Sequence, residues 1–253
     1  MSGTIDIETK EGVALLVMNR PEKKNALTDA MYHALANGMA AAEADAAVGA
    51  VLLAGAGGNF TTGNDIVDFL AASKGGAKGG AGGRGVGRFL MAQVEGKKPL
   101  IAAVEGLAVG VGATTLFQCD LVYAAESASI RTPFVDLGLV PENGSSLLAP
   151  RLMGHARAFE MLALGEPFDA RRAEAAGIVN RVVPADRLME TALAAARRLA
   201  AKPREALLAT RAMLRPDPEA VKAVSLAESR AFAERLGSAE ARAAFEGFLA
   251  RKA

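Results

Sequence analysis

Leu100-Ile101-Ala102-Ala103-Val104-Glu105-Gly106-Leu107-Ala108-Val109-Gly110-Val111-Gly112-Ala113-Thr114 reads as an apolar strand, a glycine-bearing turn and a segment able to be helical. An earlier stretch repeats the pattern: Val51-Leu52-Leu53 leads into Gly57-Gly58-Asn59-Phe60-Thr61-Thr62-Gly63-Asn64-Asp65-Ile66. A strand, a tight turn and a helix N-terminus leave unsatisfied N–H groups pointing the same way as the positive end of the helix dipole, which makes an anion site. Two such donors converging on one oxygen form an oxyanion hole. Glu142, in Val140-Pro141-Glu142-Asn143-Gly144, is the carboxylate to place beside them.

Outward from these turns the chain alternates strands with helices, the signature of an α/β core. Ile5–Glu8 alternates like a strand, and Val13–Met18 and Val48–Leu53 read as buried strands. Thr28 is placed to cap a helix running to about Glu43. Residues 74–87 are dominated by glycine, with Lys74, Lys78, Arg84 and Arg88 in or beside them. They read as a loop, since the alternation resumes with a helix over 86–95, a strand over 100–104, a helix over 111–118 and a strand over 120–125. After Pro150 the character changes. Met153–Leu164, Ala170–Ala176, Asp186–Ala201, Arg204–Leu214, Pro218–Leu236 and Ala239–Ala250 all look helical, and only Ile178–Val183 looks like a strand. The C-terminal third reads as a helical annex whose apolar faces need a partner, another subunit among them.

The chain has 253 residues, about half of them apolar, with a net charge of +1 and no Trp. That length suits one large domain, or a core with an appendage. The near-neutral charge gives no basis for a phosphate-backbone reader, so no nucleic-acid partner is expected. A lone Cys119 excludes an internal disulfide. No apolar run approaches the ~20 residues that span a bilayer, and Val13–Met18 is too short for a signal h-region. A soluble cytoplasmic protein with no membrane partner is expected.

Read together with the Pro-Glu segment, the two turns resemble the crotonase (enoyl-CoA hydratase/isomerase) superfamily. The resemblance covers nearly the whole chain. It includes Asn19-Arg20-Pro21-Glu22-Lys23-Lys24-Asn25-Ala26-Leu27, Gly165-Glu166-Pro167-Phe168-Asp169-Ala170, Ala176–Pro184 and the tail Ala244-Phe245-Glu246-Gly247-Phe248-Leu249. It implies an α/β fold: a spiral of ββα units carrying the acyl-CoA site over residues 1–190, with a helical region over 191–253 that drives assembly into a homotrimer or a hexamer (a dimer of trimers). It also implies a coenzyme A thioester as the partner molecule, with no separate cofactor. Position by position, the oxyanion donors are the backbone N–H groups of Asn64 and Val111, where many relatives have Gly in place of Val111. The Asn25-Ala26-Leu27 segment touches the adenine and pantetheine. Lys23, Lys24 or Arg20 meets the phosphates, because cations suit anionic groups. Ala26, Asp65, Ile66, Thr114 and Phe134 line the substrate.

One departure decides between branches of the family. Hydratases resemble one another in carrying two glutamates that hold and split water, and the matching positions here are Thr114 and Phe134. Neither can move a proton at working pH. Pro141-Glu142-Asn143-Gly144-Ser145-Ser146 instead looks like the segment with the single catalytic glutamate of one enoyl-CoA isomerase branch. A thioester makes its α C–H weakly acidic, and removing that proton puts charge on the thioester oxygen. One carboxylate can then return the proton to the γ carbon. Glu142 lies among Leu137, Leu139, Val140 and Leu147, and burial there raises its pKa toward the operating pH. Isomerisation from the 3- to the 2-enoyl thioester is the leading expectation; hydration or another enolate chemistry, and non-catalytic acyl-CoA binding, are the alternatives.

Plainer roles accompany these. Glu142 also suits a helix N-terminus starting at Asn143-Gly144-Ser145-Ser146. Asp65 suits a helix cap, and Asp136 a structural carboxylate near the site. Gly110-Val111-Gly112 lacks the third glycine of a dinucleotide fingerprint. Ser145 and His155 lack the G-x-S-x-G elbow of a hydrolase. Two His, one of them His33 in mid-helix, and one Cys give no metal-ligand spacing. The 74–88 cations read as solvated charges or a lid over CoA, and Phe245 and Phe248 as core or interface residues.

Overall fold

The computed structural model describes residues 3–65 and 85–250, with side chains through 247. Nine strands are assigned among them: β1 (Thr4–Lys10), β2 (Val13–Asn19), β3 (Ala50–Gly55), β4 (Leu100–Val104), β5 (Leu107–Val109), β6 (Leu121–Ala125), β7 (Ser129–Arg131), β8 (Phe168–Asp169) and β9 (Arg181–Val183). The helices are α1 (Asp29–Ala44), α2 (Gly85–Glu95), α3 (Val111–Leu116), α4 (Ser145–Met153), α5 (His155–Phe159), α6 (Ala170–Ala175), α7 (Ala185–Ala200), α8 (Arg204–Leu214), α9 (Pro218–Leu236) and α10 (Ala239–Ala250).

The apolar runs build a six-stranded sheet in the order β1-β2-β3-β4-β6-β9, parallel except for the β1–β2 hairpin. Alternate residues face two separate clusters. Leu16, Met18, Val51, Leu53 and Ala102 pack on the side of α1 and α2. Ala50, Leu52, Ala54, Ile101 and Ala103 meet Leu188, Ala192 and Ala196 of α7. Because both faces are covered, these strands read as continuous apolar runs rather than alternating ones. The helix expected from Thr28 forms, with the Thr28 hydroxyl accepting from Met31 N–H at 3.3 Å.

A second, three-stranded sheet has the order β5-β7-β8. Its strands are two or three residues long, too short to show a period, and the sequence reading passed over all three. The chain crosses from the first sheet to the second at Gly106, which has φ +54°. A Cβ there would stand 2.2 Å from the Gly58 carbonyl oxygen, so only glycine fits.

Several boundaries move for local reasons. The expected strand Ile178–Val183 shrinks to β9 because the N–H groups of Ile178 and Val179 both close on the Ala173 carbonyl, at 3.0 and 3.2 Å, in the turn after α6. Val48–Leu53 shifts to Ala50–Gly55 because Val48 N–H turns back to the Asp45 carbonyl. Pro150 is no boundary and sits inside α4. The helix expected over Met153–Leu164 is instead split at Gly154 and finishes in a π turn, Glu160–Leu164. The C-terminal helices form the expected helical region and pack back on the core. Residue 190 falls within α7, which closes one face of the main sheet. Arg211 of α8 pairs with Asp120 at 2.7 Å, and α9 and α10 both reach back to the segment between β7 and α4.

The loops at the ends of β2 and β3 are tied together by Asn25, whose side chain is fully buried. Its Nδ2 donates to the Ala56 and Asn59 carbonyls, at 2.8 and 2.6 Å, and its Oδ1 accepts from Arg20 N–H at 2.8 Å. Its φ of +56° is one that Asn tolerates better than most residues. Asn25→Ala is expected to cost about 3 kcal/mol, lowering the melting temperature by roughly 5–10 °C in a thermal scan.

Candidate active site

The first glycine turn is laid alongside the second by a short parallel contact. Thr61 N–H donates to the Leu107 carbonyl, and Val109 N–H donates to the Thr61 carbonyl, both at 2.9 Å. This brings Gly63 against Val109 and Val111: a Cβ on Gly63 would lie 2.8 Å from the Val109 oxygen and 3.8 Å from the Val111 nitrogen. The peptide before Asn64 is oriented by its own carbonyl, since Gly63 O accepts from Leu27 N–H at 2.8 Å. In a trans peptide N–H and C=O point opposite ways, so the Asn64 N–H is turned away from Leu27. Asp65 N–H continues the contact by donating to the Leu27 carbonyl at 2.9 Å. Val111 opens α3, and the Gly110 carbonyl accepts from Ala113 and Thr114 at 3.0 Å, which turns the Val111 N–H outward from the helix start. Among the described residues neither Asn64 N–H nor Val111 N–H has an acceptor. Two adjacent free amides of this kind can hold an oxygen that gains negative charge.

Glu142 is 5 % exposed, and among the described residues its Oε1 has no hydrogen-bond partner. Burial, with the Glu228 charge adding to it, pushes its carboxyl up to about 7. A carboxylate buried without a compensating partner is costly, and one poised near neutrality suits proton transfer in both directions. Its backbone is held from three sides. Ser145 hydroxyl donates to the Glu142 carbonyl at 2.6 Å. Gln118, just after α3, donates to the Asn143 carbonyl at 2.8 Å. Glu228 of α9 accepts from Gly144 N–H at 2.6 Å and Ser146 N–H at 2.8 Å, capping the start of α4.

Tyr32 reaches the first turn from α1. Its hydroxyl donates to Asn64 Oδ1 at 2.6 Å. Burial, and then the charge of Glu142, raises its phenol well above the usual range, so it remains a donor. Neither Tyr32 nor Glu228 was singled out from sequence. Tyr32 sits on the α1 stripe Met31, Tyr32, Leu35, Ala36, Met39, and its one signal is a hydroxyl among apolar neighbours. Glu228 contacts residues more than 80 positions away, which no local pattern carries.

A model of the enoyl-CoA hydratase/isomerase family matches residues 8–253. The chain belongs to the enoyl-CoA hydratase/isomerase family. It is 34 % identical over 252 residues to human "Enoyl-CoA delta isomerase 2", covering 98 % of this chain and 64 % of that protein. It is 37 % identical over 206 residues to a "Probable enoyl-CoA hydratase" of Rhizobium meliloti, covering 78 % of this chain and 75 % of that one. A solved enoyl-CoA hydratase/isomerase of Pseudoalteromonas atlantica superposes with a TM-score of 0.91 at 38 % identity, covering 98 % of each chain. The crotonase fold expected from the motifs is thus the fold observed. The family's names include isomerases and hydratases alike. The chain spans just under two thirds of the human protein's length.

The other expected site residues fall as follows. Asp65 pairs with Arg20 at 2.7 Å, and Arg20 also donates to the Ala26 carbonyl at 3.0 Å, so this guanidinium braces the Ala26 loop. The side chains of Asn25 and Leu27 are buried inward, while Ala26 is half-buried and Lys23 and Lys24 are exposed. Thr114 is fully buried in α3, its hydroxyl within 3.4 Å of the Val111 carbonyl. Phe134 is buried with its ring edge-on to Phe232 of α9, centroids 6.3 Å apart. Asp136 pairs with Arg131 at 2.8 Å on the surface, a structural placement. Ile66 and residues 66–84 lie outside the described residues, as does the Phe248 side chain. Of the expected 74–88 loop, Arg88 is in α2, bonded to Asn37 at 2.9 Å. Burial pushes the Cys119 thiol up, and its Sγ contacts the Thr115 carbonyl at 3.3 Å. Among the described residues no helix is long and apolar enough to cross a membrane, and no His/Cys/Asp/Glu group could hold a metal.

Proposed function

We propose that this chain is an acyl-CoA isomerase that moves a double bond from the 3 to the 2 position of an enoyl-CoA. The observation that carries this reading is the buried carboxylate of Glu142, whose Oε1 has no partner among the described residues, while Thr114 and Phe134 supply no second acid. Similarity to human enoyl-CoA delta isomerase 2 supports it. Glu142 Oε1 takes the α proton, and the C–H electron pair moves into a dienolate whose charge rests on the thioester oxygen. The N–H groups of Asn64 and Val111 hold that oxygen, each worth ~10²–10³ in rate. The same carboxyl then gives its proton to the γ carbon, the 3-double bond becomes the 2-double bond, and Glu142 returns to its charged form. No metal or further cofactor enters the step, and coenzyme A is part of the substrate. Lys23 and the Ala26 backbone bind the CoA end, with Thr114 and Phe134 walling the acyl group.

An assembly of three or six copies belongs to the same proposal. Exposed apolar side chains such as Phe159, Leu164, Met213 and Leu214 support it.

Because one carboxyl carries the proton from the α to the γ carbon, turnover in D₂O is expected to leave part of the original protium in the product. Complete washout to deuterium would instead mean that the proton on Glu142 exchanges with solvent before its return or that a second acid supplies the γ proton. The pH dependence follows from the raised pKa. The base must be ionised, so kcat/KM is expected to rise tenfold per pH unit below about 7 and to level off above it, as a pH–rate series reads directly.

A further inference from the structure

We propose that Tyr32 is a positioning residue, whose hydroxyl holds the Asn64 side chain and so keeps the Asn64 N–H aimed at the substrate oxygen. This inference rests on the isomerase reading for the identity of the donor, and on three observations for the role. The first is the bond itself, at 2.6 Å between two side chains 32 positions apart, made by a residue only 3 % exposed. The second is the backbone around Asn64. Residues 63 and 65 are both tied to Leu27, and the Gly63 carbonyl sets the plane of the peptide, but the Asn64 N–H itself has no acceptor among the described residues. A side-chain anchor on the same residue adds a second constraint on the far side of its Cα, since catalytic geometry depends on supporting hydrogen bonds that lock the primary groups. The third is the ring's independent support. Tyr32 packs at 5.9 Å from the Phe89 ring in the main cluster, so the hydroxyl is not needed to hold α1 in place.

Tyr32→Phe removes the hydroxyl and keeps the ring. The expected result is a roughly tenfold fall in kcat with KM changed less than about twofold, the size of one lost hydrogen bond. Exchange of the α proton with D₂O is expected to slow by the same factor, and the acid limb of the pH profile to stay in place. If Tyr32 acts through Asn64, the Tyr32→Phe/Asn64→Ala double variant is no slower than Asn64→Ala alone. An unchanged kcat and exchange rate in Tyr32→Phe, a loss confined to KM, or fully additive losses in the double variant would overturn the role. Proton exchange reports enolate formation whatever product follows. A wild type that exchanges α protons without isomerising would defeat the isomerase reading and still test Tyr32. A Tyr32→Phe variant that matches wild type while Glu142→Gln is dead would defeat only this inference.

Discussion

Glu142→Gln is expected to abolish isomerase turnover, with kcat falling by about 10³-fold or more while binding of an acyl-CoA ester survives. The substitution keeps the shape of the side chain and removes its ability to take and return a proton. Positioned general acid–base groups contribute ~10²–10⁴ in rate, and here one group serves both half-steps. Among the described residues the native Oε1 has no partner to lose, so replacing the carboxylate breaks no hydrogen bond to them at that oxygen. The site even gains stability above pH 7, where the wild-type carboxylate is charged and buried with its pKa raised to about 7. The sign follows from the direction of that shift. A raised acid favours the fold while protonated and loses that advantage as pH climbs through 7. Steady-state kinetics beside calorimetric titration of a non-reactive acyl-CoA separate the two quantities. Undiminished turnover would remove Glu142 from the chemistry.

Gly63→Ala carries the second large effect. Gly63 has φ +82°, and its Cβ would stand 2.8 Å from the Val109 carbonyl oxygen, a backbone atom that cannot rotate away. To admit a methyl group the first turn must move off the second. That separates the Asn64 N–H from the Val111 N–H and breaks the proposed convergence on one oxygen. A loss of one donor's worth, ~10²–10³ in kcat, is expected. A few kcal/mol of stability go with it, from the strained φ and the displaced backbone. Slow α-proton exchange in a variant whose circular dichroism still shows the native fold would locate the damage in the donors. Normal exchange would mean that the two turns do not share a ligand oxygen.

Parts of this site were legible in the chain before any geometry, and the physical reasons are specific. Val51–Leu53 and Leu100–Val104 announce themselves because both faces of a parallel sheet are buried. Thr28 announces α1 because a hydroxyl at that position satisfies an orphan amide. Glu142 stood out as a carboxylate in an apolar segment, but its unpartnered oxygen and the reach of Glu228 from α9 appear only once distant elements meet. β5, β7 and β8 went unseen because strands of two or three residues carry no period. The surface that α7 covers was not legible, for a related reason. Its small apolar face, Leu188, Ala192 and Ala196, fits its own sheet as well as any partner, and amphipathicity alone does not say which surface is covered. Arg20 and Asn25, grouped by sequence with a ligand-binding loop, turn out to brace that loop from within.

The most direct test pairs two substrates on the purified protein, 3-hexenoyl-CoA and crotonyl-CoA. Rapid conversion of the first to its 2-enoyl isomer, with negligible hydration of the second, is the result expected of one buried glutamate with Thr114 and Phe134 in the places of the hydratase acids. Rapid hydration of crotonyl-CoA would contradict it, and would mean that Glu142 alone, or Asp136 despite its ion pair with Arg131, activates water in this site.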